Sequence, residues 1–503
     1  MRRHIKALSI VTVLLLLSVA CGGGSDRDAA GNNPTSESSS SETESSRESS
    51  AETAEQGSAP VESESSSSSS TNPNENEETS VDPPETEYEM FGDIVWPCNP
   101  GTATGATDQG VTDTSILIGG GDDRGYAASL GLNITQTDTL KAFVEKCNDL
   151  GGINGREVLV ELYDAKIFEV SNVWLDACPR MFMMVAEGFA VDSLGEETRV
   201  QCELAHIPTY TVSAAAAHGP MMIQPVPNPS DRNPLSMASY IAETYPDAIA
   251  KSATMFGNFA ATIETKDKTL SSYPPLGFEF IANLEYNIVG EDDWTPFVLE
   301  LKNAGVKHIY FTGTCLPNYQ AFRSAASVNG FDAIYTTDAN FYENSCREAN
   351  DDGVMNNTYV RMAFIPFEER NYSPGVNDYL EIMEEKGGEI ALLGMQAASA
   401  FLLWATAAKA CGSDLTRSCV LEEAAKIDEW SGGGMHVASD PGVNEPPPCG
   451  IVIELVGTAY ERIFPSEPGT YECNESWNAG FTNRWTDDAE LDENRVSQKF
   501  TTE

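Results

Sequence analysis

The segment from residue 137 to residue 166 reads TDTLKAFVEKCNDLGGINGREVLVELYDAK and decides the fold class. Leu140, Phe143 and Cys147 recur at helical spacing, which predicts a helix with one buried face. The glycine pair at 151–152 permits the positive φ that ends a helix, and the NG turn follows directly. Apolar residues then alternate through residues 158–164, which predicts a strand. A helix, a glycine stop and a strand form the repeating unit of an α/β sheet.

The same alternation of short strands and helices continues through residues 111–503. These residues are too many for one hydrophobic core and suit two lobes. Short buried strands between helices predict parallel sheets with right-handed crossovers. Further strands are predicted at residues 115–119, 189–191, 208–212, 252–256, 278–284, 308–312 and 334–337, and helices at residues 294–304, 319–328 and 392–410.

Two stretches of sequence resemble a known family. A helix that runs into GGINGR, followed by a strand that ends in an acid, resembles the type 1 periplasmic-binding-protein family. Residues 290–331, GEDDWTPFVLELKNAGVKHIYFTGTCLPNYQAFRSAASVNGF, are similar to the second lobe of its leucine/isoleucine/valine-binding branch, the receptors of ABC importers. The resemblance implies an α/β fold of two Rossmann-like lobes with parallel sheets, joined by a hinge.

The resemblance covers most of residues 112–465 and predicts how the chain is divided between the lobes. Residues 358–365 would carry the chain back to the first lobe, and the helix at 392–410 would support that lobe. The N-terminal lobe is predicted at residues 111–232 and 357–440, the C-terminal lobe at residues 233–356 and 441–475, and a tail at residues 476–503.

The N-terminus predicts export. Arg2, Arg3 and Lys6 precede a short apolar run at residues 7–20, which is typical of a secretory signal peptide over residues 1–20. Small residues before Cys21 resemble the bacterial lipobox, which implies lipidation of Cys21 and a lipid anchor on the extracytoplasmic face of the cell membrane. The alternative is an ordinary signal with an incidental cysteine.

Residues 21–110 are predicted to be a disordered linker. Serine, glutamate, threonine, asparagine and proline dominate this segment, and it carries 19 acidic and 2 basic residues. Repulsion between like charges keeps such a chain extended, as in a stalk. The whole chain has a formal net charge of −47, which argues against nucleic-acid binding because basic clusters to neutralise phosphates are absent.

The ten cysteines other than Cys21 are an even number, as expected for five disulfides in an oxidising compartment. Metal binding is the competing interpretation, but the sequence contains no CxxC pair. The family resemblance implies a bridge between Cys178 and Cys202. Proximity along the chain favours two further pairs, Cys315 with Cys346 and Cys411 with Cys419.

In a fold of two facing sheets, ligands lie beyond the carboxyl ends of the strands. The loops that follow the predicted strands therefore supply the candidate ligand-binding residues. These are Tyr126, Asp192, Ser193, Ser213, Ala214, Phe256, Asn258, Thr314, Asp338 and Asn340.

The resemblance also implies that the amino-acid clamp of the family is altered. The hydroxyl residue that holds a ligand carboxylate corresponds to Ala215, and the acid that holds an ammonium group corresponds to Ala339, beside Asp338. The expected ligand is therefore a small polar molecule such as an amide, a urea-like compound or an amino acid, above all a modified one. An unmodified aliphatic amino acid should bind poorly unless Asp338, by a one-residue shift, and Ser213 substitute. Structural roles compete at single positions, because Ser213 could cap a helix and Asp192 could cap a loop.

Catalytic patterns are weak. The five histidines are scattered without metal-ligand spacing, and the predicted lobes contain no GxSxG motif. We therefore expect no enzyme, no metal and no cofactor, but a monomeric receptor that captures a small molecule and docks on an ABC permease. The alternative is a sensory lipoprotein of the same fold that signals to a membrane partner.

Overall fold

The computed structural model of the protein describes residues 89–478 and 480–481. The predicted signal peptide, Cys21, most of the predicted linker and most of the predicted tail lie outside these residues. Within the described ranges, each helix lacks either the length or the apolar character that crossing a bilayer requires.

The secondary structure alternates between strands and helices, as expected from the sequence pattern. In chain order the strands are β1 Met90–Phe91, β2 Ile94–Val95, β3 Ser115–Asp122, β4 Glu157–Asp164, β5 Met184–Val185, β6 His206–Ile207, β7 Ser252–Gly257, β8 Phe280–Tyr286, β9 His308–Thr312, β10 Ile334–Thr337, β11 Thr358–Met362, β12 Cys449–Val456, β13 Ala459–Phe464 and β14 Glu472–Cys473. The helices are α1 Ile134–Asp149, α2 Val170–Ala177, α3 Glu196–Gln201, α4 Ala214–Ala217, α5 Ser236–Thr244, α6 Pro246–Ile249, α7 Ala260–Ser272, α8 Thr295–Ala304, α9 Gln320–Val328, α10 Asn344–Glu348, α11 Pro374–Lys386, α12 Leu392–Cys411 and α13 Arg417–Ala424.

Four strands form the first sheet, in the order β4–β3–β5–β6, and all of its pairings are parallel. Strands β3 and β4 pair along their whole length, and Ile116 and Ile118 of β3 are fully buried. Helix α1 packs on this sheet. A Cβ atom on Gly120 would lie 2.2 Å from Cδ2 of Leu140, so any larger residue would require the Leu140 side chain to shift.

The second sheet is larger, with the order β13–β12–β11–β10–β9–β7–β8 and with β14 paired to β12. Strands β7 to β11 pair in parallel, whereas β12 and β13 run antiparallel to their neighbours. Every residue of β7 and β9 is buried, which fits strands covered on both faces. The two parallel regions agree with the predicted α/β fold class.

Two predicted strands of the first sheet are wrong. The sequence predicted strands at residues 189–191 and 208–212, but the paired segments are β5 and β6, which end a few residues earlier. The reason is that residues 181–185, MFMMV, are all fully buried and supply β5. The apolar residues at 189–191 instead belong to the loop after it, where Phe189 packs on Trp174.

The predicted linker extends too far towards the first sheet. Residues 89–110 belong to the described structure and include the antiparallel pair β1–β2. Phe91 and Trp96 are buried and their rings pack against Phe143 of α1. Cys98 is bonded to Cys147 of the same helix. Three buried side chains, those of Phe91, Trp96 and Cys98, therefore attach this segment to the core.

The predicted return to the first lobe also starts too early. Strand β11, which begins this segment, pairs with β10 and β12 in the second sheet. The chain leaves that sheet after Met362, and the next two helices, α11 and α12, pack against α1. Phe401 and Trp404 of α12 are fully buried, as expected for the core of the first lobe. The exact lobe boundaries remain a prediction.

The predicted tail does not begin at residue 476. Trp477 is buried against Phe464 of β13, with ring centroids 6.4 Å apart. Its backbone carbonyl accepts a hydrogen bond from the amide of Leu235. The apolar indole therefore keeps the chain on the second sheet beyond the predicted start of the tail.

Five disulfides join the ten cysteines of the described part. They are Cys98–Cys147, Cys178–Cys202, Cys315–Cys346, Cys411–Cys419 and Cys449–Cys473. The second, third and fourth are the pairs that the sequence favoured.

Candidate ligand-binding cleft

A cavity of about 280 Å³ lies beyond the carboxyl ends of both sheets. On the side of the first sheet, the cavity is lined by Tyr126, which follows β3, and by Tyr210, which follows β6. On the side of the second sheet, it is lined by Thr314, which follows β9, and by Asn340, which follows β10. This is the position in which open parallel sheets bind small molecules.

Two extended segments that connect the sheets pass along the cavity. The amide of Ile365 donates to the carbonyl of Met435 at 2.9 Å, and the amide of Val437 donates to the carbonyl of Ala363 at 2.9 Å. Ala363 and Phe364 both line the cavity. The connection between the sheets therefore forms part of the cavity wall.

Four of the predicted binding residues line the cavity. They are Tyr126, Thr314, Asp338 and Asn340. The Asn340 amide donates to the carbonyl of Gly313 at 2.9 Å, so it also holds the loop after β9 against the loop after β10. Thr314 is partly exposed.

Four other predicted residues serve the structure of the first sheet's loops instead. Asp192 accepts hydrogen bonds from the amides of Val212 and Ser213 at 2.7 and 3.0 Å. Burial raises the pKa of its carboxyl group to about 6. Ser213 caps α4 by accepting from the amide of Ala216 at 3.1 Å. Ser193 and Ala214 flank these groups, and all four lie outside the cavity wall.

The remaining two predicted residues, Phe256 and Asn258, also lie outside the cavity wall. Phe256 is buried, and the ammonium group of Lys266 lies 4.6 Å from its ring centroid. The side-chain oxygen of Asn258 accepts from the amide of Ile288 at 3.0 Å. Both residues thus contribute to the structure around the end of β7. Residues of the first turn of α7 form the cavity wall there instead.

The acid pair after β3 fixes the first sheet's loops. Asp123 is fully buried and accepts hydrogen bonds from the amides of Ile167 and Ala190, each at 2.8 Å. Burial raises the pKa of Asp123 to about 6. Asp122 forms a salt bridge of 2.9 Å with Arg124. Since Ile167 and Ala190 line the cavity, the buried carboxylate of Asp123 sets the shape of this wall.

Two basic residues that the sequence analysis did not identify line the second sheet's side of the cavity. Lys268 is 8% exposed, and its ammonium donates to the side-chain oxygen of Asn228 at 2.8 Å. Arg361 of β11 donates to one oxygen of Asp338 at 3.4 Å. The hydroxyl of Tyr310 donates to the other oxygen of Asp338 at 2.5 Å.

Burial lowers the pKa of Lys268 to about 8, and the positive charge of Arg361 acts in the same direction. A sequence signal for Arg361 did exist, because it interrupts an otherwise uncharged buried strand. Lys268 gave a weaker signal: it stands in the polar run ETKDK, which reads as an exposed helix face.

The rest of the wall combines apolar side chains with a few hydrogen-bonding groups. The apolar side chains include Leu132, Ile167, Val226, Phe259, Ile288, Phe364, Leu392 and Leu393. Among the polar groups, the hydroxyl of Tyr210 accepts from Asn133 at 2.9 Å, and Thr211 donates to Gln224 at 2.9 Å. Such a wall suits an organic solute with both an apolar and a polar part.

The described histidines are held by structural partners. His308 contacts the hydroxyls of Ser252 and Thr336, each at 2.9 Å, and His436 contacts Ser399 at 2.8 Å. Burial lowers the pKa of both imidazoles. Among the described residues, no group of three or more His, Cys, Asp or Glu side chains could hold a metal ion.

A family model described as periplasmic binding protein matches residues 186–458, more than half of the chain. The chain belongs to the periplasmic binding protein family. Membership implies a solute-binding protein that acts outside the cytoplasm. No curated protein matches the chain significantly in sequence.

Solved structures show the same fold at low sequence identity. The fatty acid ABC transporter substrate-binding protein from Thermomonospora curvata has a TM-score of 0.60 and 14% identity, covering 79% of this chain and 100% of its own. LivJ from Streptococcus pneumoniae, a branched-chain amino acid transporter substrate binding protein in complex with isoleucine, has a TM-score of 0.56 and 14% identity, covering 70% of this chain and 99% of its own. A solute binding protein of an ABC transporter from R. palustris, in complex with 4-hydroxybenzoate, has a TM-score of 0.58 and 13% identity, covering 69% of this chain and 97% of its own.

These three proteins are named for, or were solved with, chemically different solutes. The common fold therefore fixes where the ligand lies but leaves its chemistry to the wall residues. The family assignment and the fold agree with the resemblance found in the sequence.

Proposed function

We propose that the protein is the extracytoplasmic solute-binding receptor of an ABC importer and captures a small polar organic molecule between its two sheets. The observation that carries this proposal is the cavity itself, which has walls from both sheets. A solute that contacts Tyr126 on one side and Asn340 on the other would hold the two sheets together. Family membership supports the same function.

Closure around the solute would provide the signal for the permease. The segments joined by the hydrogen bonds between Ile365 and Met435 and between Ala363 and Val437 connect the two sheets at the cavity. They are therefore placed to act as a hinge. A ligand that contacts both walls binds the closed state better than the open state, and it shifts the population towards closure.

An unmodified aliphatic amino acid is a poor candidate ligand. The acid nearest to the expected ammonium position, Asp338, already accepts hydrogen bonds from Tyr310 and Arg361. Ser213, the candidate on the first sheet's side, lies outside the cavity wall and caps α4. The ammonium group of an amino acid would therefore be buried without an adequate partner, which costs several kcal/mol.

The proposal includes a lipid anchor at Cys21, an extended linker and a monomeric receptor. Replacing Cys21 by alanine should remove acyl modification and release the protein from membranes in cell fractionation. Equal membrane retention of the variant and the wild type would contradict the anchor and leave solute binding unaffected.

Native mass spectrometry of the full-length chain tests solute binding. After incubation with a small-molecule extract of the producing cells, the protein should retain a solute. The variant Thr314→Trp should lose it, because an indole at this position fills the cavity. Ser324→Trp, on an exposed position of α9, is the matched control and should retain the solute. Equal retention by both variants would contradict binding in this cleft.

Uptake measurements then test the importer role. Cells that lack the protein should fail to accumulate the identified solute, and the wild-type gene should restore uptake. Normal uptake in its absence would contradict the importer role while leaving the solute-binding function in place.

A further inference from the structure

The charged side chains of the cavity wall are unevenly divided. Among the described residues that form this wall, three carry a charge: Lys268, Arg361 and Asp338. All three lie on the second sheet's side. Two cations against one anion leave an excess positive charge facing the cavity, in a protein whose whole chain is strongly acidic.

Asp338 already has a cationic neighbour. Its two oxygens accept from the hydroxyl of Tyr310 at 2.5 Å and from the guanidinium of Arg361 at 3.4 Å. Its negative charge is thus already shared with Arg361. A ligand ammonium would meet the guanidinium as well as the carboxylate, and like charges repel.

The two basic groups, in contrast, retain donors. An ammonium carries three N–H donors and a guanidinium carries five. In the described structure, the Lys268 ammonium reaches the neutral side chain of Asn228, and the Arg361 side chain makes its one hydrogen bond, at 3.4 Å, with Asp338. Donors therefore outnumber acceptors on this part of the wall.

The surroundings of Lys268 disfavour its protonated form. Its pKa is lowered to about 8 by burial and by Arg361, although Asp338, Asp231 and Glu264 act in the opposite direction. A bound anion would offset the repulsion between the two cations, and the buried position would strengthen that attraction relative to water.

The remainder of the wall calls for an apolar ligand body. Leu132, Phe259, Ile288 and Phe364 line the same cavity. An inorganic anion would leave this surface unfilled. Two cations, one of which is already paired with Asp338, suit a monoanion better than a dianionic phosphate ester.

We infer that the ligand is an organic carboxylate with an apolar body, whose carboxylate group is held by Lys268 and Arg361. The inference rests on the proposed solute-binding function and names the chemical class of the solute. Asp338 is then a neighbour of the Arg361 guanidinium rather than a partner of the ligand.

Matched pairs of acids and amides test this inference. Calorimetry with the full-length chain would compare hexanoate with hexanamide and benzoate with benzamide, which differ in charge but little in shape. The acid of at least one pair should bind ten times or more tightly than its amide. Equal binding of acid and amide, tighter binding of the amide, or binding of neither would overturn the inference. Tighter binding of hexyl phosphate than of hexanoate would also overturn it.

Variants locate the carboxylate. Lys268→Gln and Arg361→Gln should each reduce the preference for the acid by tenfold or more. Lys266→Gln is the matched control, because it removes the same charge from the same helix outside the cavity wall. Unchanged preferences in both cavity variants would overturn the inference.

Asp338→Asn separates this site from an amino-acid clamp. The affinity of the Asp338→Asn variant for hexanoate should lie within a few-fold of the wild-type affinity, because the two cations remain. An affinity reduced more than tenfold in this variant, together with an unchanged affinity in Arg361→Gln, would overturn the inference.

The outcomes also separate this inference from the proposed function. If amides or other neutral solutes bind in the cleft and Thr314→Trp removes them, the receptor function stands and the carboxylate class is wrong. If the wild-type chain binds neither the probes nor any solute of the cell extract, the receptor function fails as well.

Discussion

At the scale of single residues, the arrangement of Asp338, Arg361 and Lys268 determines what the cleft can recognise. Position 338 alone suggests an acid for a ligand ammonium. The guanidinium of Arg361 on β11 argues against that role, because it lies 3.4 Å from the Asp338 carboxylate and adds a positive charge to the wall. The function of an acid in a cleft therefore depends on the basic groups beside it.

The pH dependence of binding follows from Lys268. Its pKa is lowered to about 8, and it faces Arg361, Asp338, Asp231 and Glu264. Above this pH the ammonium loses its proton, whereas a carboxylate ligand remains ionised. Calorimetry should show constant affinity for hexanoate between pH 6 and 7 and a fall of up to about tenfold per pH unit above pH 8. Lys268→Gln should abolish this dependence, and an unchanged fall in that variant would contradict the assignment.

A second residue-scale prediction concerns Glu187, which is buried beneath the first sheet's loops. Burial raises its pKa to about 8 and lowers that of His206, whose Nδ1 lies 2.7 Å from the carboxyl oxygen. The pair is therefore a neutral hydrogen bond rather than an ion pair at neutral pH. Because the pKa of Glu187 is raised in the folded state, its protonated carboxyl group contributes stability that is fully present below about pH 4. This contribution is lost as the pH rises through about 8.

Glu187→Gln removes this loss, because the amide resembles the protonated acid. The melting temperature of the variant should match that of the wild type near pH 5 and exceed it by several degrees near pH 9. The opposite trend, a variant that is less stable at high pH only, would show that the carboxylate is ionised in the folded protein.

At the scale of elements, the segment before β3 is a structural part of the first lobe. Phe91 is fully buried, and its ring lies 5.6 Å from that of Phe143. Phe91→Ala should lower the free energy of unfolding by about 3 kcal/mol, as measured by urea denaturation of the full-length chain. Met90→Ala, in the same strand but 48% exposed, is the control and should have little effect. If both substitutions lower the free energy of unfolding by the same small amount, β1 is a dispensable linker.

The disulfide between Cys98 and Cys147 serves the same attachment. It spans 49 residues and ties the segment to α1. Replacing both cysteines by alanine should cost about 2–5 kcal/mol of unfolding free energy. No loss of stability in urea denaturation would contradict this role.

The same scale shows what the sequence could predict. Strands β9 and β10 have the predicted bounds, and α12 ends one residue beyond its prediction, because long buried runs flanked by polar turns are unambiguous. β5 and β6 have two paired residues each, so periodicity carries little information there. The strand-to-helix loops do contribute to the cavity wall, yet Asp192 and Ser213 bond to backbone amides, which sequence patterns do not reveal.

Lys268 and Arg361 escaped prediction for a related reason. The sequence pattern points to loops that follow strands, whereas Lys268 lies on α7 and Arg361 lies within β11. Helix α7 packs on β7 and β9, and only the assembled second sheet brings both cations to one cavity wall. Such a meeting depends on tertiary structure and has no local signal in the sequence.

At the scale of the whole molecule, two parallel sheets joined by crossing segments place a cavity where their strand ends meet. The first sheet supplies a wall fixed by buried carboxylates, and the second supplies the charged groups that face the solute. This division fits a receptor in which one lobe provides shape and the other provides charge recognition. The central claim is that a solute bridges both walls.

The most direct test is a crystal structure of the full-length chain with the acid that binds most tightly in calorimetry. We predict that its carboxylate lies within hydrogen-bonding distance of both Lys268 and Arg361, and that its apolar body contacts Tyr126 or Leu132 across the cleft. A ligand that contacts one sheet alone, or that lies outside the cavity, would contradict the account.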